Sequence, residues 1–106
     1  MRHRPSRPAD GPTRFIVSYD ICHPKRLRKV HKVMKGFGEA LQYSVFSCDL
    51  TAAERVRCET ALRDVIDVRV DQVLFIDIGP SRGRALMAVE SVGLPYQSTT
   101  LRAIVV

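Results

Sequence analysis

One carboxylate, Asp20, lies between an apolar segment and a dense run of basic residues. A carboxylate in that setting suits Mg²⁺, which commonly takes one or two carboxylates and keeps several waters. Asp20 has no acidic neighbour in the sequence, so a metal site requires a second carboxylate, which a copy of the chain related by a dimer axis can supply. The alternative is structural, because an aspartate that ends a strand often belongs to a turn or caps a helix.

The basic residues that follow Asp20 are suited to a polyanion. Six of them fall within eleven residues and together equal the formal net charge of the 106-residue chain, +6. They are Lys25, Arg26, Arg28, Lys29, Lys32 and Lys35. Each Lys or Arg that meets a phosphate releases condensed counterions, so such a cluster favours nucleic acid, and the binding falls steeply with salt. A solvated helix face is the other interpretation, and charge alone does not decide between them.

The cysteines and histidines do not form a recognisable site. The chain has three cysteines, Cys22, Cys48 and Cys58, and no two of them form a C-x-x-C motif. An odd number leaves one thiol unpaired in any disulfide scheme, which indicates a protein of the reducing cytoplasm. We expect all three to be small buried hydrophobic residues. His23 and His31 lack the spacing of a zinc site, so we interpret both as bystanders.

Asp77 is an unusual acid, because isoleucines flank it within an apolar segment. It can mark an edge position, pair with an arginine or serve as a second metal ligand, and of these we favour the arginine.

Composition bounds the class of protein. A hydrophobic content of 45% with 26% charged residues is ordinary for a globular domain. No segment is apolar over enough residues to span a bilayer, so no membrane partner is expected.

The elements that hold Asp20 and the basic run follow from periodicity. Residues 14–20 alternate their side chains with the period of a strand, and Asp20 ends it. Pro24 suits the first turn of a helix, and apolar residues recur after it at helical spacing. These are Leu27, Val30, Met34 and Phe37, and Gly36 and Gly38 end the helix. Residues 40–49 are predicted as one kinked strand or two short ones.

The second half of the chain contains another helix and strand. Thr51 and Glu54 have the spacing of a capping box, so a helix begins there and is predicted to run to about Ile66. Residues 67–71 form a connection, and residues 73–79 are predicted as a buried strand.

The end of the chain has a weaker signal. Residues 82–93 allow a short helix, and residues 99–106 are predicted as an apolar strand. That last strand is a candidate for pairing with an exposed sheet edge, in this subunit or another.

This order of elements predicts an α+β fold, a sheet with both helices on one face, either ferredoxin-like or a small βαβ sandwich. We divide the chain into a disordered basic arm at 1–13, a domain at 14–79 and a C-terminal extension at 80–106 that contains the final strand. A domain of this size buries a modest share of its surface, so a dimer is expected.

Four segments resemble one known family. They are "RFIVSYDI", "KRLRKVHKVMKGFG", "LQYSVFSCDLT" and "ALRDVIDVRVDQVLFIDIG". The resemblance covers residues 14–79, and the pairing of "YDI" with "QYSVF" at this separation is its specific part. The chain is similar to CRISPR-associated protein family two, the small CRISPR-associated endoribonuclease that accompanies the CRISPR integrase in the adaptation module.

The resemblance implies a ferredoxin-like β-α-β-β-α-β sheet and a homodimer in which each C-terminal strand extends the sheet of the partner subunit. It also implies that Asp20 lies near the dimer axis, where two copies bind one Mg²⁺ and cleave RNA or DNA. Tyr19 is carried over as a second catalytic residue, and Ser44 and Phe46 as supporting residues. The residues assigned to nucleic-acid binding are Lys25, Arg26, Arg28, Lys29 and Lys32.

For function, the resemblance implies CRISPR adaptation, in which a cytoplasmic homodimer binds duplex DNA by phosphate contacts and bridges dimers of the CRISPR integrase. Mg²⁺-dependent hydrolysis of single-stranded RNA or of DNA is the enzymatic activity that the same family implies. The alternative on this fold is a CRISPR-independent, toxin-like ribonuclease.

Overall fold

A computed structural model of the chain describes residues 11–82 and 89–96. Within those residues, the elements follow the order strand, helix, strand, strand, helix, strand. They are β1 (Thr13–Asp20), α1 (Pro24–Lys35), β2 (Glu39–Gln42), β3 (Val45–Leu50), α2 (Ala52–Arg63) and β4 (Gln72–Pro80). The strands form one antiparallel sheet in the order β2-β3-β1-β4. The predicted α+β, ferredoxin-like fold is therefore confirmed.

β1 presents different side chains to the two faces of this sheet. Phe15, Val17 and Tyr19 are buried, whereas Asp20 is exposed. Because successive strand residues point to opposite faces, the buried three meet the helices, and Asp20 shares the other face with Ile16. The rest of the core comes from β3 and the two helices, namely Phe46, Cys48, Leu50, Val30, Met34, Cys58 and Leu62. Both helices therefore cover one face, as the sequence predicts.

α1 begins at Pro24, as predicted, and His23 caps it. The His23 ring nitrogen Nδ1 accepts a hydrogen bond of 3.1 Å from the Lys25 backbone N–H. This contact satisfies one of the N–H groups that the start of a helix leaves unpaired. The interpretation of His23 as a bystander is therefore wrong, because its imidazole takes the part usually played by an Asp or Ser side chain.

The hairpin of β2 and β3 decides between the two predictions for residues 40–49. Two short strands are present, joined by a turn at Tyr43 and Ser44. The side chain of Tyr43 projects from this turn and is exposed, whereas that of Ser44 is half-buried.

α2 begins with the predicted capping box. The Glu54 N–H donates to Thr51 Oγ1 at 3.2 Å, and the Thr51 N–H donates to Glu54 Oε1 at 2.8 Å. The helix ends at Arg63, three residues before its predicted end. The reason is a tightened last turn, in which the N–H groups of residues 65 and 66 both bond to the Leu62 carbonyl.

The C-terminal extension is described only at residues 89–96. These residues contain no helix or strand, so the predicted helix at 82–93 does not reach this part of the chain. The Tyr96 hydroxyl donates a hydrogen bond to the Glu39 carboxylate at the start of β2. The predicted final strand, residues 99–106, lies outside the described residues, as does most of the basic arm, residues 1–10.

Gly38 lies where a larger residue would collide with the sheet. A Cβ at this position would come within 2.4 Å of the Ser47 carbonyl oxygen and 2.6 Å of Cys48 Sγ. We predict that Gly38→Ala destabilises the fold by about 1–3 kcal/mol, the usual cost of overpacking. For a small domain this corresponds to a fall in melting temperature of roughly 4–8 °C per kcal/mol, measured by circular dichroism.

Gly36→Ala is the matched control, because Gly36 has right-handed helical backbone angles and its added Cβ would meet only the Val33 carbonyl, at 3.3 Å. Equal melting temperatures for the two variants would contradict the predicted collision at Gly38.

Candidate functional site

Asp20 lies at the exposed end of β1, on the sheet face that the helices leave uncovered. Its backbone pairs with Gln72 of β4. Over the described residues, its carboxylate has no hydrogen-bond or ion-pair partner. The helix-capping alternative for Asp20 is wrong, because His23 caps α1. The Asp20 side chain is exposed on that face.

Asp20 is the Mg²⁺ ligand that the sequence predicts. No group of three or more His, Cys, Asp or Glu side chains is placed to hold a metal ion in the part of the chain that the structure describes. Asp20 supplies the hard oxygen ligand that Mg²⁺ prefers, and water can complete the shell around one or two such carboxylates. The donor chemistry of Asp20 fits the ion, and a second Asp20 from another copy of the chain stays a prediction.

α1 carries its basic residues on the side that faces solvent. Because a helix turns by about 100° per residue, positions 25, 28, 29, 32 and 35 fall opposite the buried Val30 and Met34. These five residues, all exposed, are called the cationic stripe: Lys25, Arg28, Lys29, Lys32 and Lys35. The stripe includes four of the five residues predicted to bind nucleic acid.

Arg26, the fifth of those residues, is engaged elsewhere. Its guanidinium binds the Asp71 carboxylate through two contacts, Nε to Oδ2 at 2.7 Å and Nη2 to Oδ1 at 3.2 Å. The Arg26 side chain is 28% exposed, whereas that of Asp71 is fully buried. This geometry makes Arg26 a residue that positions α1 against the sheet.

Asp71 accepts two further hydrogen bonds from the backbone, from the Cys22 N–H at 2.9 Å and from the Asp67 N–H at 2.8 Å. The Arg26 guanidinium holds the pKa of the Asp71 carboxyl well below its usual range, and the two backbone donors act in the same direction. Asp71 therefore stays ionised and links the start of α1 to the connection before β4.

Tyr19 points away from Asp20, toward the helices. Its hydroxyl donates to the Tyr43 carbonyl at 2.8 Å and lies 3.1 Å from His31 Nδ1. Burial raises the pKa of the Tyr19 phenol to about 12, with a smaller contribution from the phenol of Tyr43. Tyr19 thus keeps its proton at neutral pH, and the structure does not bring its hydroxyl to the Asp20 carboxylate.

His31 belongs to an aromatic cluster that the sequence interpretation missed. Its ring stacks on the Tyr43 ring, with centroids 4.4 Å apart and planes at 18°, and meets the Phe46 ring edge-on at 5.4 Å. The bystander interpretation of His31 is therefore wrong. The available signal was its helical spacing from Leu27 and Met34, which places His31 at the edge of the apolar side of α1.

Ser44 and Phe46, the predicted supporting residues, hold the end of β1. The Ser44 carbonyl accepts a hydrogen bond of 3.1 Å from the Tyr19 N–H. Phe46 is fully buried, and its ring stacks near that of Tyr19 with centroids 6.2 Å apart. Both residues fix the backbone immediately before Asp20.

The cysteines divide into two environments. Cys48 and Cys58 are buried, and burial raises the pKa of Cys48 to about 12 and that of Cys58 to about 11. Cys22 is exposed, and its thiol donates to the Val70 carbonyl at 3.0 Å. The prediction that all three are buried is wrong for Cys22, which lies in the surface loop between β1 and α1.

Asp77 lies on β4, an edge strand of the described sheet, and its carboxylate accepts a hydrogen bond of 2.8 Å from the Gly79 N–H. β4 meets Asp20 at Gln72, five residues away from Asp77. Asp77 therefore does not join Asp20 as a metal ligand within one chain, and the favoured arginine pairing stays a prediction.

Neither α1 nor α2, the helices of the described residues, has the length and apolar character needed to cross a membrane.

Comparison with known proteins places this geometry in a family. The family model described as CRISPR associated protein Cas2 matches residues 13–84, which include β1, the cationic stripe and β4. The chain belongs to the Cas2 family. This confirms the resemblance seen in the sequence.

Two curated relatives show how much of the chain the similarity covers. A protein of Rhodospirillum rubrum named CRISPR-associated endoribonuclease Cas2 1 is 40% identical over 87% of this chain and 89% of its own length. A protein of Geobacter sulfurreducens named CRISPR-associated endoribonuclease Cas2 is 36% identical over 87% of this chain and 96% of its own. The similarity to Cas2 proteins thus extends over most of both chains.

Solved structures agree with the family. Streptococcus pyogenes Cas2, in a crystal structure at pH 6.5, superposes with a TM-score of 0.64 at 34% identity, covering 76% of this chain and 99% of that one. A hypothetical protein from Thermus thermophilus gives a TM-score of 0.69 at 26% identity, covering 82% of this chain and 98% of that one.

The ion pair of Asp71 makes a pH-dependent prediction. Because the folded-state pKa of Asp71 lies below its unfolded value of about 3.9, its contribution to stability is present above that pH and is lost as the pH falls toward the folded value. We predict that Asp71→Asn lowers the melting temperature at neutral pH. The difference from the unmodified protein should shrink as the pH falls from about 5 to about 2.

Asp64→Asn is the control, because Asp64 is an exposed residue at the end of α2. A loss for Asp71→Asn that is the same at both pH values would show that the carboxylate does not act through its charge.

Proposed function

We propose that this Cas2-family chain acts in CRISPR adaptation as a homodimer that binds duplex DNA by phosphate contacts and bridges dimers of the CRISPR integrase. We further propose that the dimer hydrolyses phosphodiester bonds of RNA or DNA with Mg²⁺. Family membership supports the CRISPR setting, and the relatives described above are named CRISPR-associated endoribonucleases. Those names favour a CRISPR-associated role over a CRISPR-independent, toxin-like ribonuclease.

The uncovered face of the sheet is the observation that carries this proposal. Leu74 and Ile76 of β4 are 46% and 47% exposed on that face, and Ile76 pairs with Ile16 of β1. Asp20 lies on the same face at the end of β1. An apolar face of this kind is stabilised when it packs against another surface. If two copies pack face to face about a twofold axis, the same contact that buries Ile76 brings the two Asp20 carboxylates toward each other.

In this proposal, Asp20 of each subunit would hold one Mg²⁺, which when bound supplies an activated water and neutralises charge on the phosphate. Other residues of the chain bind the nucleic acid or fix the position of Asp20. The cationic stripe holds the phosphate backbone of the nucleic acid. Tyr19, protonated at neutral pH, holds the hairpin turn against the end of β1 and thereby fixes the position of Asp20.

Binding to duplex DNA follows from the chemistry of the cationic stripe. Lysine ammonium groups on flexible side chains contact phosphates without reading bases, so the binding is independent of sequence. Each phosphate contact releases counterions, so affinity falls with salt concentration. The stripe lies on the helix layer, opposite the face that we assign to the dimer, so both surfaces can be used together.

The C-terminal strand and the integrase concern how the dimer is assembled and what it binds. A C-terminal strand, residues 99–106, would extend the sheet of the partner subunit, and the dimer so formed would bridge two integrase dimers. All three cysteines are free thiols, which agrees with the cytoplasmic location that we propose.

The dimer and the metal site are tested together by two variants. We predict that Ile76→Glu, which places a charge on the proposed interface, gives a monomer by size-exclusion chromatography with light scattering and abolishes Mg²⁺-dependent cleavage. Asp20→Asn should keep the dimer and lose only the cleavage, because the amide is a poorer Mg²⁺ ligand.

Val56→Glu is the matched control, since Val56 is another exposed apolar residue, on α2 and away from the proposed interface. Integration assays with the partner integrase separate the two roles: Asp20→Asn should retain integration if bridging does not need cleavage. A monomeric unmodified protein, or full cleavage by Asp20→Asn, would contradict the proposed metal site.

The cationic stripe is tested by reversing its two central charges. We predict that Lys29→Glu with Lys32→Glu weakens duplex DNA binding by at least about ten-fold and lowers the slope of log affinity against log salt by about 2. The measurement is fluorescence anisotropy between about 50 and 200 mM salt. The control, Arg57→Glu with Arg63→Glu, makes the same change in net charge on α2. Equal losses in the two double variants would mean that net charge, not the stripe, governs binding.

A further inference from the structure

Tyr43 exposes an aromatic ring at the turn between β2 and β3. Its side chain is 54% exposed, although the ring stacks on His31 with centroids 4.4 Å apart. The stacking covers one side of the ring. The exposed remainder of the ring offers a flat apolar surface to solvent.

Hydrogen bonds hold His31 and the turn in place. His31 Nδ1 lies 3.0 Å from the Tyr43 carbonyl and 3.1 Å from the Tyr19 hydroxyl. The carbonyl only accepts, and the Tyr19 hydroxyl already donates to it, so His31 Nδ1 carries the proton and donates to both oxygens. The Phe46 ring supports the imidazole from its edge. The stack is thus preorganised, which reduces the entropy lost when a ligand binds to it.

The stack borders the cationic stripe. Arg28 lies three residues before His31 and Lys35 lies four residues after it, and these spacings make side chains neighbours on a helix surface. Both Arg28 and Lys35 are exposed. An aromatic surface is therefore flanked by two cations, which is the combination that binds a single nucleic-acid strand by its base and its phosphates.

From these contacts we infer that the Tyr43–His31 stack binds one unpaired base of a nucleic-acid strand whose phosphates lie along the cationic stripe. The inference rests on the proposed function and deepens it, since it names the substrate class: a strand with unpaired bases, either single-stranded or at the opened end of a duplex. A base inside a duplex has both faces covered by its neighbours, so duplex binding uses the stripe alone. Stacking does not read the sugar, so RNA and DNA strands bind alike at this point.

The test compares Tyr43→Ala with Tyr43→Phe, which keeps the ring. Affinities for a fluorescently labelled single strand and for a duplex are measured by anisotropy without Mg²⁺, so that no cleavage occurs. Loss of one stacking contact corresponds to a loss of about 5- to 150-fold. Tyr43→Ala should weaken binding of single-stranded RNA and DNA by such a factor and leave duplex affinity unchanged, whereas Tyr43→Phe should resemble the unmodified protein.

A second measurement needs no variant. A strand of the same length in which every nucleotide is abasic keeps its phosphates but has no base to stack on Tyr43, so it should bind the unmodified protein as weakly as the intact strand binds Tyr43→Ala. Equal single-strand affinities for Tyr43→Ala and the unmodified protein, or an equal loss on duplex, would overturn the inference. The result that would contradict the proposed function is different. If the cationic stripe did not bind duplex DNA, Lys29→Glu with Lys32→Glu would leave duplex affinity unchanged, while Tyr43→Ala would still weaken single-strand binding.

Discussion

The contact between Arg26 and the buried carboxylate of Asp71 holds the basic helix against the sheet. Asp71 also accepts hydrogen bonds from the Cys22 and Asp67 N–H groups, so one side chain joins the loop before α1, α1 itself and the connection before β4. Hydrogen bonds from the bidentate guanidinium and from two backbone N–H groups replace the hydration that the Asp71 carboxylate loses when it is buried. Only a short loop separates Asp20 from α1. The orientation of α1, and therefore of the cationic stripe, relative to the end of β1 depends on this contact.

The end of β1 divides its residues between two surfaces. The alternation of a strand sends Tyr19 to the helix layer, where it joins the aromatic cluster of His31 and Tyr43, and sends Asp20 to the uncovered face. Two adjacent residues therefore lie on opposite faces of the sheet. A shift of β1 by one residue against β3 would exchange the two surfaces, so the pairing register of β1 with β3 fixes both of them. The hydrogen bond from the Tyr19 N–H to the Ser44 carbonyl continues this pairing at the end of β1.

Local patterns predicted the elements, and long-range pairing decided the details of the site. The strand period of residues 14–20, the position of Pro24 and the capping box of α2 depend on neighbours within a few residues, and all three are confirmed. The partner of Arg26 lies 45 residues away, and a charge in a sequence does not reveal its partner. His31 was missed for the same reason, because its stacking partner Tyr43 belongs to another element.

The place of β1 within the sheet also bears on how the protein is made. β1 leaves the ribosome before both of its neighbours, because β3 and β4 come later in the chain. Pairings between segments so distant in sequence form slowly, because the loop must close before the contacts stabilise it. During synthesis both edges of β1 stay unpaired until β3 has emerged, and one edge stays unpaired until β4 follows. In this interval the unpaired edge exposes the nascent chain to aggregation and to chaperones.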